Sequence, residues 1–317
     1  MARVGQVNNN IDIVINGHEM KMATHCLQYV FRSFNGFRWP VAYYGSETAC
    51  AYQLYNTFWD VVSKLYEYGF LVDYVSLDGA TTNRLFMNIM SSHNLREENF
   101  IVPDIYDLDH KICLIQDIKH TLKKIRNNFN SSRPEFKFIP GRYIVKNAIP
   151  ILWTHWEEAF KLNNKDGLPI HKSLSEEHTV LTPVSKMRNK LASDVLNKEM
   201  LYLMRCYQST IENPAKLTST IEVLENTAIL VEIFHDTRPI TRLSDQRLKK
   251  LRDVLLYFTT WEDEINQNNA YNAAKNLMTS ETRDDLHSSI QRFLSLCELT
   301  VGHGRTINPM FHKFGLN

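Results

Sequence analysis

Val75-Ser-Leu-Asp-Gly-Ala-Thr-Thr-Asn-Arg84 joins an apolar strand to a helix through one aspartate and one glycine. It has a counterpart downstream in Lys111-Ile-Cys-Leu-Ile-Gln-Asp117. Each is a short apolar run of the kind that forms a buried strand, ends on a carboxylate, and is followed at once by helix-type sequence. Alternation of this kind builds a sheet covered by helices, and open sheets place their sites at the C-terminal ends of strands. Asp78 is therefore the leading candidate for chemistry. A carboxylate there can hold a divalent cation, because the strand fixes its backbone and Gly79 lets the chain turn away. A turn or helix-capping role ahead of Thr82 is the plainer alternative.

Working outward, three β-rich runs precede this point: 11–15, Cys26-Leu-Gln-Tyr-Val-Phe31, and 37–44 with its three aromatics. Asn35-Gly36 between the last two predicts a hairpin turn, and Pro40 predicts an edge position or a bulge. Over 47–68, Leu54, Phe58, Val61, Val62 and Leu65 recur at helical steps, with Gly69 as the C-terminal cap. A strand over 70–77, a helix over 82–93, a strand over 111–115 and a basic helix to Asn127 complete a β-β-β-α-β-α-β-α order, which predicts a mixed sheet with helices against it. After Ser131 the texture changes. The stretch 136–145 reads as a loop or short strands, with Pro140-Gly141 as a turn. Helical patterns then follow over 153–162, 183–206, 217–234, 248–265 and 286–301, the last preceded by Thr279-Ser-Glu-Thr282. A loop-like tail occupies 302–317.

With 317 residues and 44% hydrophobic composition, the chain has material for a sizeable core in one large or two ordinary domains. A net charge of +1 gives no overall basic face, so any nucleic-acid contact has to come from local clusters. The five cysteines are far apart and form no C-x-x-C pair, which argues for free thiols over a disulfide framework or a locally built zinc site. The Asn-rich N-terminus lacks a signal pattern, and no apolar run approaches the roughly 20 residues of a membrane span. The expectation is a soluble intracellular protein without a membrane partner.

Three further constellations carry potential chemistry. In Asp117-Ile-Lys-His-Thr-Leu-Lys-Lys-Ile-Arg-Asn127, His120, Lys124 and Asn127 share a helix face, and Lys119, Lys123 and Arg126 add charge suited to a phosphate backbone; a solvated charged face is the plain reading. Lys186-Met-Arg-Asn-Lys190 opens a long helix, where cations and backbone amides favour phosphates, although no Gly-rich phosphate loop is present. Phe234-His-Asp236-Thr-Arg238 sets a histidine beside an aspartate, but adjacent residues rarely face each other on a helix.

Taken together and in order, these segments resemble the P-element and THAP-type family of DNA transposases. The resemblance rests on Ala23-Thr-His-Cys-Leu-Gln-Tyr-Val-Phe31 with Gly36-Phe-Arg-Trp-Pro40, on Val75-Ser-Leu-Asp-Gly-Ala80 with Asn83-Arg84, and on Asp117-Ile-Lys-His120 with Lys123-Lys-Ile-Arg-Asn127. Leu181-Thr-Pro183, Lys186-Met-Arg188, Lys190-Leu-Ala192, Thr279-Ser-Glu-Thr-Arg-Asp-Asp-Leu286 and Phe293-Leu-Ser-Leu-Cys297 extend it over roughly residues 20–317. It implies an α/β fold, a ribonuclease-H-like mixed sheet with helices, interrupted by a large all-α insertion. The corresponding parts are 1–132, a helical GTP-binding-type insertion over 133–278, and 279–317. It also implies Mg²⁺-dependent cleavage and strand transfer at transposon DNA ends, GTP as cofactor, oligomers on DNA and a nuclear location.

Asp78 matches the family's second catalytic, metal-binding acid. Asp117, His120, Lys124, Arg126 and Asn127 match a site-supporting or DNA-contact stretch. Lys186, Arg188, Asn189, Lys190, Phe234 and Asp236 fall where the family contacts GTP, with Arg238 standing where its guanine-reading pattern has Asn. The family's first acid lies on a strand upstream of the Ala23 motif, where His18-Glu19 does not replace it. Its third acid lies beyond a segment like Asn308-Pro-Met310. One acid of three does not hold two metal ions, so the chain as given is expected not to cut DNA, and reads as a truncated piece or relic. A transposase-derived protein that binds nucleotide or DNA without catalysis is the alternative.

Overall fold

The computed structural model describes residues 13–15, 18–20, 23–34, 37–46, 50–91, 101–134, 142–165 and 167–310. They fall into two compact units, Met1–Leu71 and Val72–Asn317.

In the first unit, β1 (Ile13–Ile15) pairs antiparallel with β2 (His18–Met20), and β3 (His25–Arg32) with β4 (Arg38–Ser46). The ladder slips between Tyr29 and Val30, which pair with Ala42 and Pro40 and leave Val41 as the extra residue. This is the bulge that Pro40 predicts, since proline has no N–H for a regular ladder. The Asn35-Gly36 turn lies outside the described residues. Helix α1 (Ala51–Glu67) packs its Leu54, Phe58, Val61 and Val62 face inward. The Tyr29 hydroxyl bonds Thr57 Oγ1 at 2.8 Å, and Tyr44 donates to Asp60 at 2.7 Å, fixing the hairpin to this helix. Gly69 takes φ +78°, and the Gly69 and Phe70 amides bond the carbonyls of Tyr66 and Leu65. This left-handed cap ends the helix with glycine where other residues are strained. Because Phe70 is still closing the helix, the strand expected over 70–77 is confined to its second half.

In the second unit, β5 (Tyr74–Leu77), β6 (Ile101–Pro103) and β7 (Lys111–Gln116) form a mixed sheet, with β7 parallel to β5 and antiparallel to β6. Ile112 through Gln116 are all buried, which explains the unbroken apolar run. Helix α2 (Thr81–Ser91) follows β5, and α3 (Ile118–Asn130) follows β7. The short β8 (Val145–Lys146) and β9 (Ile149–Pro150) form a tight hairpin across Asn147 and Ala148, both at positive φ. The helical stretch contains α4 (Thr154–Asn163), α5 (Pro183–Met187), α6 (Asn189–Asp194), α7 (Lys198–Gln208), α8 (Thr218–His235), α9 (Gln246–Gln267) and α10 (Ala273–Asn276); α11 (Ser280–Val301) returns to pack on β7 and α3.

Two features tie the helical stretch to the sheet. Phe129 of α3 stacks on Trp156 at 5.6 Å, and Trp156 on Trp153 at 5.3 Å, while the two indole N–H groups donate to Val195 and Thr179 carbonyls. Buried tryptophans need such acceptors. Asn128 of α3 donates to Thr282 Oγ1 at 2.9 Å and accepts the Thr279 amide at 2.8 Å, anchoring the start of α11. The sheet and the helices therefore belong to one compact unit, whose boundary at 71/72 falls inside the 1–132 segment.

Some sequence expectations need correction. The single helix over 183–206 is three helices, broken at Arg188, whose ψ of 115° is extended, and at Asn197, which caps α7 by accepting the Met200 amide. The apolar spacing carries across the break at Asn197, where Leu191, Val195, Leu196, Met200 and Leu203 are all buried, but Met187 of α5 is exposed. The final helix begins at 280, not 286, with the Thr279 side chain capping Thr282. The tail is tied down at Ile307, which exchanges backbone bonds with Ile240 at 2.7 and 3.2 Å.

Candidate active site

Asp78 and Asp117 end adjacent parallel strands. The Asp117 amide donates to the Leu77 carbonyl at 2.8 Å, so the two carboxylates leave the sheet side by side. Asp78 Oδ1 accepts the Ala80 amide at 3.0 Å and the Asn83 side-chain amide at 2.7 Å, which fixes the turn into α2. The turn role of Asp78 thus uses only its Oδ1.

Asp117 caps α3, with Oδ1 accepting the Lys119 amide at 2.9 Å, while His120 Nε2 lies 3.7 Å from Oδ2. Lys123 Nζ lies 3.3 Å from His120 Nδ1. An ammonium can only donate, so Nδ1 accepts and the ring proton sits on Nε2, facing Asp117. Burial raises the Asp117 pKa; the Lys119 amide and the His120 and Lys119 charges oppose it, and the Asp78 charge adds to it. Burial lowers the pKa of His120 and of Lys123, against the pull of the two aspartates. The strand ends therefore hold a compact set of mutually balancing charges.

Lys124 donates to the Gly79 carbonyl at 2.8 Å and to Asp285 Oδ2 at 2.7 Å. Asp285, on α11, is buried and also accepts both arms of Arg84, at 3.1 and 2.7 Å. Sequence reasoning quoted Arg84 and Asp285 within motifs but assigned neither a role. The available signal was the run Thr282, Asp285, Ser289 and Arg292, polar residues at helical spacing that are all buried.

Arg126 is fully buried and does not present its guanidinium to a phosphate. It donates to the carbonyls of Ser185 and Lys186 at 3.2 and 3.0 Å, and Asn127 donates to the Lys186 carbonyl at 3.3 Å. Burial lowers the Arg126 pKa to about 10. These two residues cap the end of α5, a structural role that helix-face spacing did not reveal.

A cavity of about 460 Å³ lies among α6, α7, α8 and the first turn of α3, with Lys119, Asn189, Lys190, Asp194, Lys198 and His235 in its lining. Of the sequence-assigned nucleotide residues, Asn189 and Lys190 reach it. Lys186 and Arg188 are exposed on the adjoining turn, and Arg188 pairs with Glu177 at 2.6 Å. Phe234 and Asp236 do not line this cavity. Phe234 is buried edge-on against Phe293, with ring centres 5.1 Å apart, and Asp236 pairs with Arg238 and Arg247, the Arg238 bonds holding its pKa down to about 2. On α8 it is His235, between them, that faces the cavity.

The donor set does not fit a two-metal centre. Among the described residues no group of three or more His, Cys, Asp or Glu side chains is arranged to hold a metal ion. One Asp78 oxygen is spent on its turn, one Asp117 oxygen caps α3, and both Asp285 oxygens are taken by cations.

Residues 3–91 match the family model described as TNP-like, RNase H N-terminal domain. No curated protein matches the chain. Among solved structures, the Drosophila P element transposase strand transfer complex matches with a TM-score of 0.69 at 16% identity, over 90% of this chain. The chain spans 61% of the length of that transposase chain. No helix among the described residues is long and apolar enough to cross a membrane. Residues 3–91 are thus similar to TNP-like RNase H N-terminal domains, and the chain shares its fold with the Drosophila P element transposase.

Proposed function

We propose that this chain is a DNA-handling portion of a P-element-like transposase, in which Asp78 supplies one carboxylate of the strand-transfer site and the polypeptide by itself does not cut DNA. The observation that carries the reading is the placement of Asp78 at the C-terminal end of β5, directly beside Asp117 at the end of parallel β7. Phosphodiester cleavage by Mg²⁺ needs several carboxylates around the metal ions, and the described residues supply too few. Half-buried Lys119 adds local positive charge near the same edge of the sheet for a DNA backbone, whereas Lys123 is buried and Lys124 is committed to Asp285 and Gly79.

The test combines two assays on the full chain. Fluorescence anisotropy with labelled duplex DNA should show salt-sensitive binding, and incubation with supercoiled or end-labelled DNA in Mg²⁺ should leave it uncut. Mg²⁺-dependent cleavage that survives in wild type and disappears in Asp78→Asn would overturn the inert reading; absence of any DNA binding would remove the transposase role.

The cavity favours a second reading, a non-catalytic nucleotide-binding protein, with GTP as the proposed ligand held near Asn189 and Lys190. Calorimetry with GTP and ATP, repeated on Lys190→Ala, tests it: heat of binding that weakens in the variant supports the reading, and no heat with either nucleotide removes it.

A further inference from the structure

We propose that Asp285 is a positioning residue of the strand-end site: through Lys124 and Arg84 it fixes the turn at Asp78 and Gly79. The proposal rests on the reading of Asp78 as the site carboxylate, and it names what holds that carboxylate in place.

Asp285 is 1% exposed and about two hundred residues downstream of the turn it controls. Its Oδ1 accepts from Arg84 Nε at 3.1 Å, and its Oδ2 accepts from Arg84 Nη2 and Lys124 Nζ, each at 2.7 Å. With both oxygens committed to cations, it is not itself available as a metal ligand. Lys124 passes the constraint on. Its ammonium has three donors, and one goes to the Gly79 carbonyl at 2.8 Å, on the residue directly after Asp78. Arg84 ties down the other side, because it follows Asn83, whose side chain bonds Asp78 Oδ1 at 2.7 Å. The segment from Asp78 to Arg84 is thus held at its start by Lys124 and at its end by Asp285 directly.

Gly79 shows how closely the parts fit. A Cβ added there would lie 2.5 Å from Asp285 Oδ2 and 2.6 Å from Lys124 Nζ, distances that real side chains do not tolerate. The glycine lets the ion pair pass directly against the turn. A charge pair placed only for stability has no need to approach the backbone beside a site residue. Here one ammonium bridges a buried carboxylate and that backbone carbonyl.

Amide hydrogen exchange by NMR on the full chain tests the proposal, with the Ala80 amide as reporter, since it donates to Asp78 Oδ1. In Lys124→Met and Asp285→Asn, Ala80 exchange should rise by about tenfold or more, as expected when a charge-assisted bond is lost, while amides in α8 keep their protection. Lys124→Arg, which keeps the charge on a bulkier head, should restore Ala80 protection only in part. Unchanged Ala80 protection in Lys124→Met overturns the proposal, and so does a uniform rise across the whole protein. If Asp285→Asn fails to fold, the two Lys124 variants decide. The readout uses neither DNA nor metal, so the clamp can hold while the Asp78 assignment fails, and the DNA assays can succeed while the clamp fails.

Discussion

The amide of Asp117 donates to the carbonyl of Leu77 at 2.8 Å, the bond that closes the parallel pairing of β5 and β7. One residue beyond Leu77 stands Asp78, so this single rung sets two carboxylates next to each other without any side-chain contact between them. Their environments differ. Asp117 caps a helix and faces His120, whereas Asp78 uses one oxygen to shape a turn and keeps the other.

Asp78→Asn separates stability from function. The amide oxygen can still accept from Ala80 and Asn83, so the change in folding free energy should stay within about 0.5 kcal/mol, as for exchanges between Asp and Asn at caps. Chemical denaturation measures this. A larger loss would mean that the Asp78 charge, and not only its acceptor, supports the fold.

Arg126→Met tests the cap on α5. Methionine keeps the buried volume but removes one of two donors from each of the Ser185 and Lys186 carbonyls, which keep the Arg188 amide and the Asn127 side chain. Two opposed effects meet here, since removing the guanidinium also relieves the burial that lowers its pKa to about 10. Loss of these two hydrogen bonds should dominate, at about 1–3 kcal/mol. The urea midpoint should fall with an unchanged slope, and Arg126→Lys should recover only part because an ammonium lacks the planar fork.

His155 should make stability sensitive to mild acid. It is buried against Thr220 Oγ1 at 2.8 Å, and burial lowers its pKa to about 4, with Lys216 adding to the effect. The folded state thus binds the proton more weakly than the unfolded chain does. The contribution is fully present above the unfolded pKa of about 6.5 and is lost as pH falls toward 4, amounting to roughly 2 kcal/mol at pH 5. Melting followed from pH 7 to pH 5 should show the drop, and His155→Gln should flatten it. An equal slope in both proteins would place the acid sensitivity elsewhere.

Much of the fold was legible because its signals are local. The apolar run of β7, the glycine that ends α1 and the bulge at Pro40 each follow from residues within a few positions of one another. The two aspartates at strand ends were legible for the same reason. What periodicity could not show is where a helix is interrupted. In 183–206 Leu191, Val195, Leu196, Met200 and Leu203 keep their spacing and stay buried across the break at Asn197, while Met187, ahead of the break at Arg188, is exposed. Nor could it show that Phe234 is sealed against Phe293 while its neighbour His235 faces the cavity.

The sequence by itself determined the alternation of β5, α2, β7 and α3, the placement of Asp78 and Asp117 at strand ends, and the likeness to P-element-like transposases. These depend on backbone propensity, short-range capping and side-chain pattern, all of which act over a few residues. Only the tertiary structure decided which charges meet. It brought Asp285 to Lys124 and Arg84 beside Gly79, turned Arg126 inward onto carbonyls, and placed Lys119 with Lys190 around one cavity. Such pairings depend on how α11 and α6 pack against α3, and a partner far away in sequence leaves no periodic trace in either segment.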